Sequence, residues 1–265
     1  GTADWIKHFA ASTFLLQPFF PSADYFFSFN SPSWSLGCEQ LFYFCFPLIV
    51  PFLHTKRSLF ITLLICLPIM LAGMYLTNEE QIKAYWYVNP FTRLPDFFVG
   101  VLLYQFYRSL CNKKLFYSTG TLLEAGAVAL FLLFFLCAAD IPKVYRYSCY
   151  YWLPVSLIIL IFALQQGGIS RLLSNRFLII GGEISYSFYL IHLFIIDAYM
   201  RMSAHYHWQI QWTISVPVIL CITIILSLLS FYYFEKPANK WVKRIFTKKT
   251  IINQPHGIIN KNTTN

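Results

Sequence analysis

Ser35, Glu39 and Tyr43 recur every four residues inside Trp34–Leu53, an otherwise apolar run. On a helix this spacing puts three polar groups on one face. A carboxylate at the centre of a bilayer costs about 2.5–3.5 kcal/mol on insertion scales, so an acid in such a run marks a functional site by default. Glu39 lies roughly 7–8 Å inside the run at about 1.5 Å per residue, which keeps its cost below the midplane figure. The face is expected to point into a protein cavity and not at lipid. A second cluster is Arg93-Leu94-Pro95-Asp96, with Gly100 two turns further on. Its two charges are three apart and can pair across a helical turn. The plainer reading is an interfacial arginine snorkelling to headgroups, with Asp96 as its local partner. A third cluster places Ser185, Tyr189 and His192 on one helical face. Histidine relays protons near neutral pH because its ordinary pKa is about 6.5. A neutral histidine bonded to another helix is the alternative. Glu183 falls at the start of the same segment, where it would favour the positive helix end. A fourth cluster, Phe231 to Pro237, runs into Lys240, Lys243 and Arg244. Pro237 is expected to end its helix, and the basic residues suit an anionic membrane leaflet.

The elements that must position these groups are membrane helices. The chain is 57% hydrophobic and 12% charged, with a mean hydropathy of +0.55. A soluble domain carries about 25% charged residues. The long apolar runs are Trp5–Phe20, Trp34–Leu53, Ser58–Leu76, Leu94–Tyr107, Thr119–Ala139, Cys149–Leu164, Phe177–Met200 and Gln211–Phe234. Most approach the length of about 20 residues that spans a bilayer; the first and fourth are short. The expected fold is all-α, a polytopic transmembrane bundle of about eight helices. Residues 1–245 form the membrane domain, and residues 246–265 a cytoplasmic, disordered tail.

The net charge of +9 invites a nucleic-acid reading, but the distribution of charge argues against it. Assigning alternate connections to the cytoplasm, beginning with the N-terminus, leaves only Lys83, Arg93, Lys143, Arg146 and Arg201 of the 20 basic residues on the other side. The positive-inside rule then makes both ends of the chain cytoplasmic and puts Glu39 and Arg93 near the outer face of a cell membrane. Trp5, Trp34, Trp86, Trp152, Trp208, Trp212 and Trp241 fall at or near run ends, where indole favours the headgroup boundary. The seven cysteines include no C-x-x-C pair, a spacing that supports neither a metal site nor a disulfide framework. No G-x-S-x-G, Gly-rich phosphate loop, H-E-x-x-H or DNA-binding motif occurs, which disfavours a serine hydrolase.

In order along the chain, these clusters resemble the membrane acyltransferase 3 family, O-acetyltransferase-like integral membrane enzymes. The W-S-L-x-x-E-x-x-F-Y block is matched by Trp34 to Tyr43, the Arg-led helix ending in Gly by Arg93 to Gly100, the G-x-x-S-Y-x-x-Y-L-x-H block by Gly182 to His192, and the final E-x-P by Glu235 to Pro237. The first and third blocks are the specific ones. The resemblance implies about ten helices. It implies transfer of an acyl group, often acetyl, from cytoplasmic acyl-CoA to a hydroxyl of an extracytoplasmic carbohydrate or similar acceptor, with no bound cofactor and no metal. It also implies an arginine and a histidine in a first helix, the histidine acting as proton acceptor. No segment here carries that pattern, and His8 is not assigned the role. The chain begins at Gly1 without an initiator Met and is expected to lack two N-terminal helices.

On this resemblance Glu39 orients or tunes the base, or binds the acceptor, and Arg93 offsets negative charge on the donor or transition state. Trp34 stacks on a sugar, while Ser35, Tyr43, Tyr189 and His192 line the substrate site. The competing readings are a polytopic transporter or flippase, with Glu39, Arg93 and His192 on an ion or substrate path, and a truncated, non-catalytic remnant or partner-dependent chain.

Overall fold

A computed structural model of the chain describes residues 2–52, 55–207 and 211–252. All described elements are helical: α1 (Thr2–Thr13), α2 (Ala23–Phe26), α3 (Trp34–Ile49), α4 (Lys56–Leu76), α5 (Pro90–Leu110), α6 (Tyr117–Cys137), α7 (Lys143–Arg146), α8 (Trp152–Leu164), α9 (Gly168–Leu173), α10 (Arg176–His205), α11 (Trp212–Ser230) and α12 (Lys236–Ile252). Among the described residues, Lys56–Leu76, Tyr117–Asp140, Arg176–His205 and Trp212–Thr247 are long and apolar enough to cross a membrane. Large apolar side chains such as Phe60, Leu122, Leu136 and Phe194 stand mostly exposed on these helices. Such extended apolar surface suits lipid as the solvent and is rare on a water-soluble monomer. The first apolar run departs from expectation. Its helix stops at Thr13, Leu15 takes a left-handed φ of 56°, and Gln17–Phe19 form a single 3₁₀ turn. Pro18 has no amide hydrogen to continue the ladder. The tail from residue 253 onwards and Trp208 lie outside the described residues.

The chain forms two compact units, Gly1–Ile179 and Ile180–Asn265. In the first, α5 packs against α3, α4 and α8. Its support is a core of Met70, Met74, Ile82, Trp86 and Val144, with Tyr147 and Trp152 packed against it. Trp86 therefore lies in the core and not at a headgroup boundary. Gly73 lets it in, since a Cβ there would meet the indole at 2.9 Å, and the indole N–H donates to Thr77 Oγ1 at 2.9 Å. The residues leading into α5, Lys83–Val88, form a π-helical turn, a form found often at functional sites.

Glu124 lies in α6, buried, and its carboxylate closes the turn before α9. Oε1 accepts the Gly167 N–H at 3.0 Å, and Oε2 accepts those of Ile169 at 2.8 Å and Ser170 at 3.1 Å. The first amides of a helix have no partner within it, and an anion there meets the positive end of the helix. A Cβ at Gly167 would collide with the carboxylate, and one at Gly120 with the Gln166 carbonyl. Glu124→Ala strands the buried amides of Gly167 and Ser170 and the half-buried one of Ile169, so a loss of about 3 kcal/mol or more is expected. In Glu124→Gln the amide oxygen at the Oε2 position still accepts from Ile169 and Ser170 while its NH2 faces the Gly167 N–H, so a smaller loss is expected. Melting of the detergent-solubilised protein measures both. An unchanged melting temperature in either variant would contradict the cap.

In the second unit, Ser187 on α10 donates to Glu235 Oε2 at 3.0 Å, and Tyr199 bonds Ser215 at 2.5 Å. On α11, buried Thr223 and Ser227 turn their hydroxyls back to the carbonyls four residues earlier. Glu183, expected at a helix start, stands seven residues into α10, beyond the first turn where the helix dipole acts. Pro237 does not end its helix either. Phe231–Glu235 form a π-helical turn, and Pro237 follows as the second residue of α12. A π turn shifts the hydrogen-bond register locally, and an insertion of this kind accommodates a residue that has no amide to donate.

Candidate functional site

The entry to α3 is tightly held. Ser33 donates to the Asn30 carbonyl at 2.6 Å and accepts from Gln17 Nε2 at 3.0 Å, while Ser35 donates to the Pro32 carbonyl at 3.1 Å. Gly37 lets the chain at Leu15 and Pro18 pass close by; a Cβ there would stand 2.5 Å from the Leu15 carbonyl oxygen. The buried Cys38 thiol donates to the Val88 carbonyl at 3.3 Å, which ties α3 to the π turn before α5. These contacts fix the rotation of α3, and with it the direction of Trp34 and Glu39.

Glu39 stands exposed on α3. It makes no hydrogen bond or ion pair among the described residues, so its carboxylate is left with full capacity to accept. Tyr43, one turn on, is 69% exposed. It lines an apolar groove of about 650 Å³ between α3 and α5, with Phe42, Phe46, Phe97 and Tyr104. The polar face expected to open on a protein cavity thus divides: Tyr43 lines the groove, Ser35 is half-buried, and Glu39 is exposed.

Arg93 is held from two sides. Its Nε donates to the Tyr87 carbonyl at 2.9 Å, and one terminal nitrogen donates to Asp96 Oδ2 at 2.9 Å. The guanidinium also lies over the Tyr87 ring, 5.5 Å from its centroid. The other carboxylate oxygen of Asp96 accepts the indole N–H of Trp152 at 2.5 Å. The pair is sheltered, with the Arg93 side chain only 17% exposed, so it is not a side chain lying freely toward headgroups. Trp34 stacks obliquely on Tyr87 at 4.9 Å, and Tyr87 on Tyr147 at 5.0 Å. Trp34 and Arg93 therefore share one aromatic partner.

Beside the pair, a cavity of about 300 Å³ lies between α5 and α8. Arg93, Asp96, Ser148 and Trp152 line it among others, and Val99, Leu103, Val155 and Ile159 continue the wall along both helices. The second terminal nitrogen of Arg93 has no partner among the described residues, which leaves donors for a ligand oxygen.

Tyr189 and His192 lie on α10 in the second unit. His192 Nδ1 bonds the Tyr189 carbonyl at 2.7 Å within its own helix, and its ring stacks on Phe188 at 6.0 Å. Ser185 turns back to the Gly182 carbonyl at 2.7 Å. His8, in the first unit, meets the Asp24 carbonyl at 2.8 Å through Nδ1 and stacks on Tyr25 at 4.1 Å.

Residues 2–232 match the family model described as an acyltransferase domain. The chain belongs to this family, acyltransferase 3. An O-acetyltransferase OatA of Staphylococcus aureus is 28% identical over 221 residues, covering 78% of this chain and 36% of its own length. An acyltransferase MdmB of Streptomyces mycarofaciens is 26% identical over 220 residues, covering 75% of this chain and 54% of its own length. The chain thus spans about a third of the first relative and about half of the second. No solved structure matches it.

Within this acyltransferase 3 chain, sequence reasoning missed three contributors. Trp152, at a run end, reads from sequence only as an anchor, because its partner Asp96 is 56 positions away. Tyr87 contributes a ring and a carbonyl with no local motif to mark it. Glu124 is an acid within the apolar run Thr119–Ala139. The rule that singled out Glu39 would have found it, although its partners are backbone amides.

Proposed function

We propose that this chain is the membrane part of an O-acyltransferase that moves a short acyl group, acetyl above all, from acyl-CoA to a carbohydrate hydroxyl across a cell membrane. The observation that carries the reading is a sheltered Arg93 on α5, held by Asp96 and the Tyr87 carbonyl, with α5 packed against the helix that bears Glu39. Arg93 is a cation locked in place with donors to spare, and Glu39 is a carboxylate with no hydrogen-bond or ion-pair partner among the described residues. In transfer, the acceptor oxygen bonds to the acyl carbon, the carbon–sulfur bond breaks, and the hydroxyl proton ends on the departing thiol. Negative charge grows on the carbonyl oxygen, where a preorganised cation lowers the barrier most. Glu39 accepts a hydrogen bond from the acceptor hydroxyl or from the base that deprotonates it. The indole of Trp34 suits a sugar ring, and relatives named as an O-acetyltransferase and an acyltransferase support the class. The excess of Lys and Arg on alternate connections supports cytoplasmic ends, an inner-membrane location and an acceptor on the opposite side.

Inside-out membrane vesicles containing the whole protein test this. Acetyl-CoA labelled in its acetyl group and added outside is expected to leave alkali-labile label on glycan in the lumen. Label that stays on small molecules, together with proton-coupled solute uptake, would point instead to a transporter.

A further inference from the structure

We infer that the cavity between α5 and α8 is the pocket for the acyl group being transferred, an assignment that rests on the acyltransferase reading above. Two features carry it. The first is a gradient along two helices, the start of α8 being linked to the second turn of α5 by the Asp96–Trp152 hydrogen bond. At that end Arg93, Asp96 and Ser148 line the cavity; one to three turns on the wall is mainly Val99, Leu103, Val155 and Ile159, with Ser156 among them. A thioester has the same order, a polar carbonyl followed by an apolar chain. Its carbonyl oxygen meets the spare donors of Arg93 and its alkyl end lies against the apolar side chains beyond, with the carrier's arm folded back toward the cytoplasmic side. The second feature is size. About 300 Å³ is at the lower end of the roughly 300–1,000 Å³ typical of ligand cavities. That volume fits a short acyl end. A Cβ at Gly100 meets nothing within 4 Å, so this position leaves room that a larger residue would take.

The probe is a butyryl thioester of coenzyme A with a diazirine on the chain, photolysed with the full-length protein in its membrane. The adduct is expected on α5 near Val99 to Leu103 or on α8 near Val155 to Ile159. Gly100→Leu and Ser156→Leu, which fill the cavity from opposite walls, are each expected to lower its yield about tenfold, the scale of a few carbons in an apolar pocket. Adduct elsewhere, or yield unchanged in both variants, overturns the pocket whether or not the protein transfers acyl groups. A parallel series of acetyl, butyryl and hexanoyl donors reads transfer itself. The filled variants are expected to lose butyryl transfer more than acetyl, and Ile159→Ala to gain hexanoyl relative to acetyl. Unchanged ratios in all three variants also overturn the pocket. A correctly placed adduct on a protein that transfers no donor supports the pocket and overturns the acyltransferase reading, so the two failures are distinguishable.

Discussion

Glu39→Gln in the whole protein is expected to cut acyl transfer by about 100-fold or more, the range for removing a positioned acid–base group, without reducing the amount of protein in the membrane. The two halves of this expectation have separate causes. Glutamine keeps the shape of the side chain and one acceptor oxygen but loses the charge that makes the oxygen basic. The fold loses nothing, because the carboxylate is exposed and bonds to no described residue. Removing a charge from an apolar helix in fact lowers the cost of insertion. Label incorporated into glycan, divided by protein in the membrane fraction, measures the effect. Near-normal incorporation would remove Glu39 from the mechanism. A collapse in protein level would make it a structural residue. Glu124→Gln is the informative contrast, since there the same chemical change is expected to act on stability, through the Gly167 amide and the lost charge.

The comparison of these two acids shows what can be read without coordinates. Both stand out in apolar runs, and that criterion finds positions. It does not separate a site from a cap, because the partners of Glu124 are the amides of Gly167, Ile169 and Ser170, brought in by a turn more than 40 positions away. The all-α bundle was legible because lipid leaves helices few alternatives and the apolar runs are long. The Arg93–Asp96 pair was legible because it is local, at i and i+3. Trp152 was not, since an indole at a run end fits an interfacial anchor as well as a donor to a distant carboxylate. Trp86 shows the same ambiguity resolved toward the core. Local rules failed where backbone geometry was irregular. The first run breaks at Leu15 and Pro18, and the helix survives Pro237 because a π turn precedes it.

Arg93→Lys is expected to be almost as damaging as loss of the side chain, with a fall of about 10²–10³ in kcat, the scale for one transition-state donor. Lysine keeps the positive charge, so a role limited to bulk electrostatics or headgroup contact would survive the change. The geometry demands more than charge. One guanidinium donates to the Tyr87 carbonyl, donates to Asp96 and lies over the Tyr87 ring at the same time, with a nitrogen left for the cavity. An ammonium is a point charge on a flexible stem and cannot reproduce a planar fork. It would be drawn to Asp96, leaving the Tyr87 carbonyl and the cavity without a donor. Asp96→Asn separates holding from chemistry. It leaves the arginine its Tyr87 carbonyl and ring but weakens the grip that aims it, so a smaller loss is expected, of about tenfold. Kinetics in purified membranes, with protein level as the control, decide the matter. If R93K keeps near-normal kcat, the cation acts only at long range and the locked geometry is structural. If R93K fails while D96N retains a tenth of the rate, the fork itself carries the chemistry and the carboxylate serves to aim it.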